Sequence, residues 1–193
     1  MRLAQRMDDL GTESALALGA RVRELIAEDR DVIQLHIGEP DFDTPAHVIE
    51  AAHRALTDGH THYAPPLGRP EFREAIAADA AERLGVRVEP HRIVVTPGAK
   101  PVLTYALAAL IDPGDEVIVP DPGFPIYASM VRFLGGVPVP IPLRARRRYR
   151  VDLDELRSLV SPRTRMIIIN SPNNPTGGML TQADLEGVAA IAL

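Results

Sequence analysis

The sequence predicts an α/β fold with a mostly parallel sheet, and three observations carry that prediction. Ile167, Ile168 and Ile169 are three β-branched residues in a row. Such a run suits a strand covered on both faces, as in a parallel sheet packed between helices. From Glu116 onward, strand-like and helix-like patterns alternate: Glu116 to Val119 as strand, Ile126 to Phe133 as helix, Val137 to Ile141 as strand, Leu153 to Val160 as helix and Met166 to Asn170 as strand. That is the rhythm of βαβ units. Finally, the apolar runs empty into clusters of Asn, Asp, Gly and Pro, and the carboxyl ends of parallel strands are where ligands of such sheets gather.

Composition narrows the function classes. A chain of 193 residues can bury a substantial core, and a net charge of −5 argues against nucleic acid as principal partner, because phosphate backbones select basic surfaces. There is no cysteine, which excludes disulfides and thiolate metal sites. No apolar run approaches the length of a membrane span, and Met1 to Leu10 is too polar for a secretory segment, so the expectation is a cytoplasmic protein with no membrane partner. Lys100 is the only lysine, beside twenty arginines. Chemistry that needs a lysine amine must use Lys100 or a lysine outside these residues.

The elements follow in order. Ser14 to Glu28 places Leu18, Val22, Leu25 and Ile26 at helical spacing and predicts an amphipathic helix. Asp31 to Ile37 predicts a short strand. It ends in Gly38-Glu39-Pro40-Asp41-Phe42-Asp43-Thr44-Pro45, a turn whose simplest reading is a surface loop capped by Thr44 before a helix from Pro45 to Asp58. His60 and His62 lack a third ligand nearby and read as loop residues, with no metal site. Tyr63 stands in Tyr-x-x-Pro-x-Gly ahead of a helix opening at Pro70, and a packed ring with a wet hydroxyl would account for it. Ile93 to Thr96 predicts another strand, followed by Pro97-Gly98-Ala99-Lys100 and a helix. A helix start offers unpaired N–H groups and partial positive charge, glycine removes a blocking side chain and lysine adds a full charge. That arrangement binds phosphate or another anion, yet it is not a Walker loop. Arg144 to Arg150 holds five arginines in seven residues and reads as a solvated connection rather than a phosphate patch. Thr181 and Asp184 are placed to cap a last helix.

One string is more specific. Asn170-Ser171-Pro172-Asn173-Asn174-Pro175-Thr176-Gly177 behind an apolar strand resembles the signature of the class I/II aminotransferases, pyridoxal-phosphate enzymes of fold type I. The resemblance implies a three-layer αβα domain and pyridoxal 5'-phosphate as cofactor. It implies that Asn174 donates to the cofactor's phenolic oxygen beside the substrate, with Asn174–Pro175 the natural cis bond. It places Gly98, Ala99 and Lys100 at the phosphate, Phe124 of Pro120-Asp121-Pro122-Gly123-Phe124-Pro125 on the ring face, and the Tyr63 hydroxyl at the phosphate of the other subunit of a homodimer. Tyr127 is a weaker aromatic candidate, expected to pack. Gly-Glu-Pro-Asp-Phe-Asp-Thr-Pro looks like the family's substrate-side loop, in which Gly38 lets the backbone approach a carboxylate.

The resemblance runs from the N-terminal helix through Asn-Asn-Pro-Thr-Gly, and the family's Schiff-base lysine, pyridine-nitrogen aspartate and carboxylate-binding arginine lie beyond the equivalent of Leu193. The implied layout is an arm and small-domain segment over residues 1–45 and the first part of the large domain over 46–193. The expected function is the front half of an enzyme moving an amino group between an amino acid and a 2-oxo acid, with no catalytic residue in these 193 positions. The alternative is a non-catalytic cofactor-binding or dimerising fragment. Lyases and decarboxylases of the same fold share this half.

Overall fold

The computed structural model describes Leu3, Ala4, Met7 and residues 14–193, with residues 14–17 described by their backbone alone. Two compact units are present: residues 1–36 with 100–193, and residues 37–99.

The first unit is built around one strand, β1 (Glu116–Asp121), whose first five residues are buried. It pairs in parallel with β2 (Val137–Pro142) on one side and β3 (Thr164–Ile167) on the other. Side-chain alternation along β1 sends Val117 and Val119 to one face and Ile118 to the other. Val117 and Val119 pack with Leu107 and Ile111 at the end of α4 (Ala99–Leu110) and with Tyr127 and Val131 of α5 (Ile126–Phe133). Ile118 packs with Leu156 of α6 (Leu153–Leu159), Val188 of α7 (Gln182–Ala192) and Ile141 of β2. Helices therefore cover both faces of a parallel sheet, the three-layer αβα arrangement that the family resemblance implies.

Prolines decide where the ladder stops. In a parallel strand, successive N–H groups point to opposite sides. Val137 and Leu143 donate to Asp115 and Asp121 at 2.8 and 2.6 Å, so the odd-numbered residues of β2 face β1. Pro138, Pro140 and Pro142 then fall on the outer side, which suits an edge strand. On the other side of β1, Ile168 donates to Ile118 at 2.9 Å, and the next N–H that could bond β3 would belong to residue 120, a proline. The strand expected to reach Asn170 ends at Ile167 for that reason.

The other two expected strands are absent from the sheet. Residues 31–37 are not part of any ladder, and Ile33 and Leu35 are 83% and 89% exposed: their alternation has no strand to pair with among the described residues. In the same unit, α1 (Ser14–Ala27) buries Val22, while Leu18 and Ile26 stay exposed.

The second unit holds α2 (Ala46–Thr57) and α3 (Pro70–Leu84), neither with a buried residue. Pro45, not Thr44, occupies the N-cap of α2, and no side chain caps it, since the chain enters the helix through the proline's fixed φ. Residues 93–96 form no strand; the Val95 N–H is used instead by the Leu67 carbonyl at 3.0 Å. Arg73 of α3 donates to the Pro90 carbonyl at 3.2 Å.

The arginine-rich connection after β2 is held by ion pairs. Arg144 meets Glu155 in a two-pronged contact, and Arg147 meets Asp152 at 2.7 Å. Arg150 reaches both carboxylate oxygens of Asp184 at 2.7 Å. Asp184 also closes the capping box with Thr181 at the head of α7.

Candidate functional site

In the first unit, polar and aromatic groups gather around the carboxyl ends of β1 and β3. The loop leaving β1 is tight: a Cβ on Gly123 would overlap the Pro120 carbonyl oxygen, so only glycine allows the chain to double back there. It delivers Phe124, half-buried, against the buried Tyr127, ring edge to face at 5.9 Å and 89°. Tyr127 packs, as expected, and burial pushes its hydroxyl pKa up. The Lys100 ammonium sits 5.8 Å from the Phe124 ring centroid, within cation–π range. Lys100 is the second residue of α4. Just before that helix, Gly98 takes φ +90°, and its N–H bonds the Thr96 carbonyl at 2.8 Å. A Cβ at Gly98 would meet nothing, so backbone conformation rather than space requires glycine.

The loop leaving β3 is organised by its own polar residues. Asn170 Oδ1 accepts from the Asn174 N–H at 2.8 Å. The Asn173 N–H bonds the Gly178 carbonyl at 2.8 Å, and the Gly177 N–H returns to the Asn173 carbonyl at 2.7 Å. Asn173 Nδ2 donates to Thr176 Oγ1 at 2.9 Å and to the Pro122 carbonyl in the β1 loop at 3.2 Å. The side chains of Asn170, Asn173 and Thr176 are thus spent on holding the loop. Asn174 is exposed and its carboxamide makes no hydrogen bond to a described residue. The Asn174–Pro175 peptide is cis, as are Ser171–Pro172 and Asp121–Pro122.

The structure brings Lys100, Phe124 and the two loops together. Gly38 and Tyr63 lie in the second unit, both exposed, and Gly98 and Ala99 are its last two residues. The sequence reading missed the tether from Asn173 to Pro122. Its only trace in the sequence is an Asn pair enclosed between Pro172 and Pro175, which spacing alone does not distinguish from a turn.

These groups fit a phosphorylated aromatic ligand: an ammonium and the N–H groups of a helix start for the phosphate, a phenyl face for a ring, and an uncommitted carboxamide for a ring oxygen. Among the described residues no cluster of His, Asp or Glu could hold a metal ion, and no helix is long and apolar enough to cross a membrane.

The model of aminotransferase class I and II matches residues 30–193. The chain belongs to the class I and II aminotransferase family. Relatives of this aminotransferase chain include a probable aspartate/prephenate aminotransferase of Thermus aquaticus, 44% identical over 99% of the chain and 50% of the relative. The aspartate aminotransferase of Geobacillus stearothermophilus is 39% identical over all of the chain and 49% of the relative. In structure, the aspartate aminotransferase from Thermus thermophilus with maleate superposes with a TM-score of 0.95 at 43% identity, covering 100% of this chain and 50% of that one. An alanine aminotransferase from Pyrococcus furiosus gives 0.94 at 34% identity, over 99% and 49%. The aminotransferase chain therefore spans about half the length of the curated relatives it matches, their N-terminal half.

Proposed function

We propose that the chain is the front half of an aminotransferase that moves an amino group between an amino acid and a 2-oxo acid, and that it carries one side of a pyridoxal 5'-phosphate site. The observation that carries this reading is the Lys100 ammonium at the head of α4, 5.8 Å from the Phe124 ring, beside a loop that offers the Asn174 carboxamide. When bound, the cofactor supplies an electron-withdrawing ring that favours loss of a proton next to the amino nitrogen. Lys100 and the N–H of Ala99, reached through the turn at Gly98, hold the phosphate. Phe124 presents a flat face that fixes the ring plane, and Asn174 donates to the phenolic oxygen. Gly38 leaves its backbone open to the substrate carboxylate. The Tyr63 hydroxyl reaches the phosphate of the second subunit in a homodimer. In this reading residues 1–45 belong to the arm and small domain, and residues 46–193 open the large domain.

The test is titration of the chain with pyridoxal 5'-phosphate and with inorganic phosphate. Lys100→Ala should weaken both, because it removes a charge-assisted contact, without abolishing either, because the backbone N–H groups remain. Unchanged affinity in Lys100→Ala would show that the phosphate is held elsewhere.

A further inference from the structure

Asn173 stands between the two loops that carry the ring-facing groups, and it is only 4% exposed. Its Nδ2 makes the one side-chain hydrogen bond seen between those loops among the described residues, to the Pro122 carbonyl at 3.2 Å. The orientation of this amide is fixed by chemistry. Pro122 offers a carbonyl oxygen, which can only accept, so the nitrogen must face it. The second Nδ2 hydrogen goes to Thr176 Oγ1 at 2.9 Å, and both Asn173 backbone groups close the same loop onto Gly177 and Gly178. Its Oδ1 is buried with no donor among the described residues. With Oδ1 unpaired, the hydrogen bonds of this buried side chain all run through Nδ2, to Pro122 and Thr176.

Each end of the tether is stiffly joined to a site group. Phe124 is two residues beyond Pro122, past the turn that only Gly123 permits, with its ring braced on Tyr127. Asn174 follows Asn173 directly, its N–H held by Asn170. We infer that Asn173 is a positioning residue: through Pro122 it sets the spacing between the Phe124 ring and the Asn174 carboxamide, and so the fit of a ring to both at once. The inference rests on the cofactor reading above.

The experiment uses the 193-residue chain, with inorganic phosphate and pyridoxal 5'-phosphate as probes. Asn173→Asp is isosteric but exchanges both Nδ2 donors for an acceptor facing the Pro122 carbonyl. Asn173→Ser is uncharged and too short to reach it, and serves if the buried carboxylate prevents folding. Thr176→Val removes only the partner within the loop. Both Asn173 variants should keep phosphate affinity within about twofold and lose about tenfold in pyridoxal 5'-phosphate affinity, the loss of roughly one well-placed hydrogen bond. The bound cofactor's absorption band should shift as its phenolic oxygen loses Asn174, and Thr176→Val should do much less. Without ligand, amide hydrogen exchange should quicken in residues 122–127 and 173–178 together for the Asn173 variants, and in 173–178 alone for Thr176→Val. Equal weakening of both probes, an unmoved absorption band, or exchange confined to 173–178 in the Asn173 variants would overturn the positioning role alone. A parent chain that binds phosphate but not the cofactor would overturn the functional reading and this inference with it.

Discussion

Gly98 and Lys100 show how much of a site can be read from residue type. Glycine before a helix start, followed by the only lysine, is legible because each residue answers one need: a φ of +90° and a full positive charge. Gly98→Ala should cost about 1 kcal/mol, since a Cβ there meets no atom but forces a left-handed conformation; urea unfolding of the two proteins gives the difference. Phe124 was singled out by the family resemblance alone, which puts an aromatic in that loop. By residue type Asn173 and Asn174 were not separable; the family resemblance alone singled out Asn174. They are neighbours of identical chemistry, and only the folded loop gives one to Pro122 and leaves the other exposed. The division of labour lies in which side of the loop closes, and no spacing rule carries that. Lys100 also bears on covalent chemistry. An ammonium committed to a phosphate is a poor nucleophile toward the cofactor's aldehyde, so borohydride treatment of the chain with pyridoxal 5'-phosphate followed by peptide mapping should leave Lys100 unmodified. A reduced adduct at Lys100 with amino-group turnover would reverse that assignment.

At the scale of elements, helices were legible to within a residue or two because caps and periodicity are local. Strands were legible only where a neighbour exists: Glu116 to Val119 and Val137 to Ile141 lie within two residues of β1 and β2. Residues 31–37 and 93–96 have the right side chains and no ladder, and β3 stops early because its partner strand presents Pro120. The head of α7 gives a sharp electrostatic test. Asp184 is buried, and the Arg150 guanidinium, followed by the Thr181 N–H and hydroxyl, holds its carboxyl far below the usual carboxylate range. A folded-state pKa below the unfolded one contributes stability that is present above the unfolded value, about 3.9, and is lost as pH falls through the folded value. Asp184→Asn should therefore be less stable than the parent at neutral pH, with a gap that narrows as pH drops below about 4, read from urea midpoints. A gap independent of pH would assign the effect to packing. Thr181→Ala removes the reciprocal cap and should cost about 1 kcal/mol on the same measurement.

For the whole molecule, the two units differ in what holds them. β1 and the helices on its two faces bury a continuous set of apolar side chains, whereas no residue from Ile37 to Ala99 is buried. Local opening is easiest where few apolar contacts must break. Amide exchange of α2 and α3 should be fast and close to that of unfolded peptide, while Val117 to Val119 exchange only on global unfolding. Similar protection in both units would mean that unit 37–99 has support that its own side chains do not provide.

The three outward prolines of β2 bear on how copies of the chain can meet. A sheet that grows by strand addition needs two reactive edges, as a polymer needs monomers with two functional ends. β2 has lost every N–H that could recruit a strand on its outer side, while no described strand pairs with the far side of β3. In the polymer chemist's sense the sheet is monofunctional: one copy can join one other through β3, and the product has only capped ends. Concentrated samples should accordingly stop at a dimer by sedimentation and stay negative to fibril-binding dyes. Replacing Pro138, Pro140 and Pro142 with valine should restore the second end and let the same chain propagate.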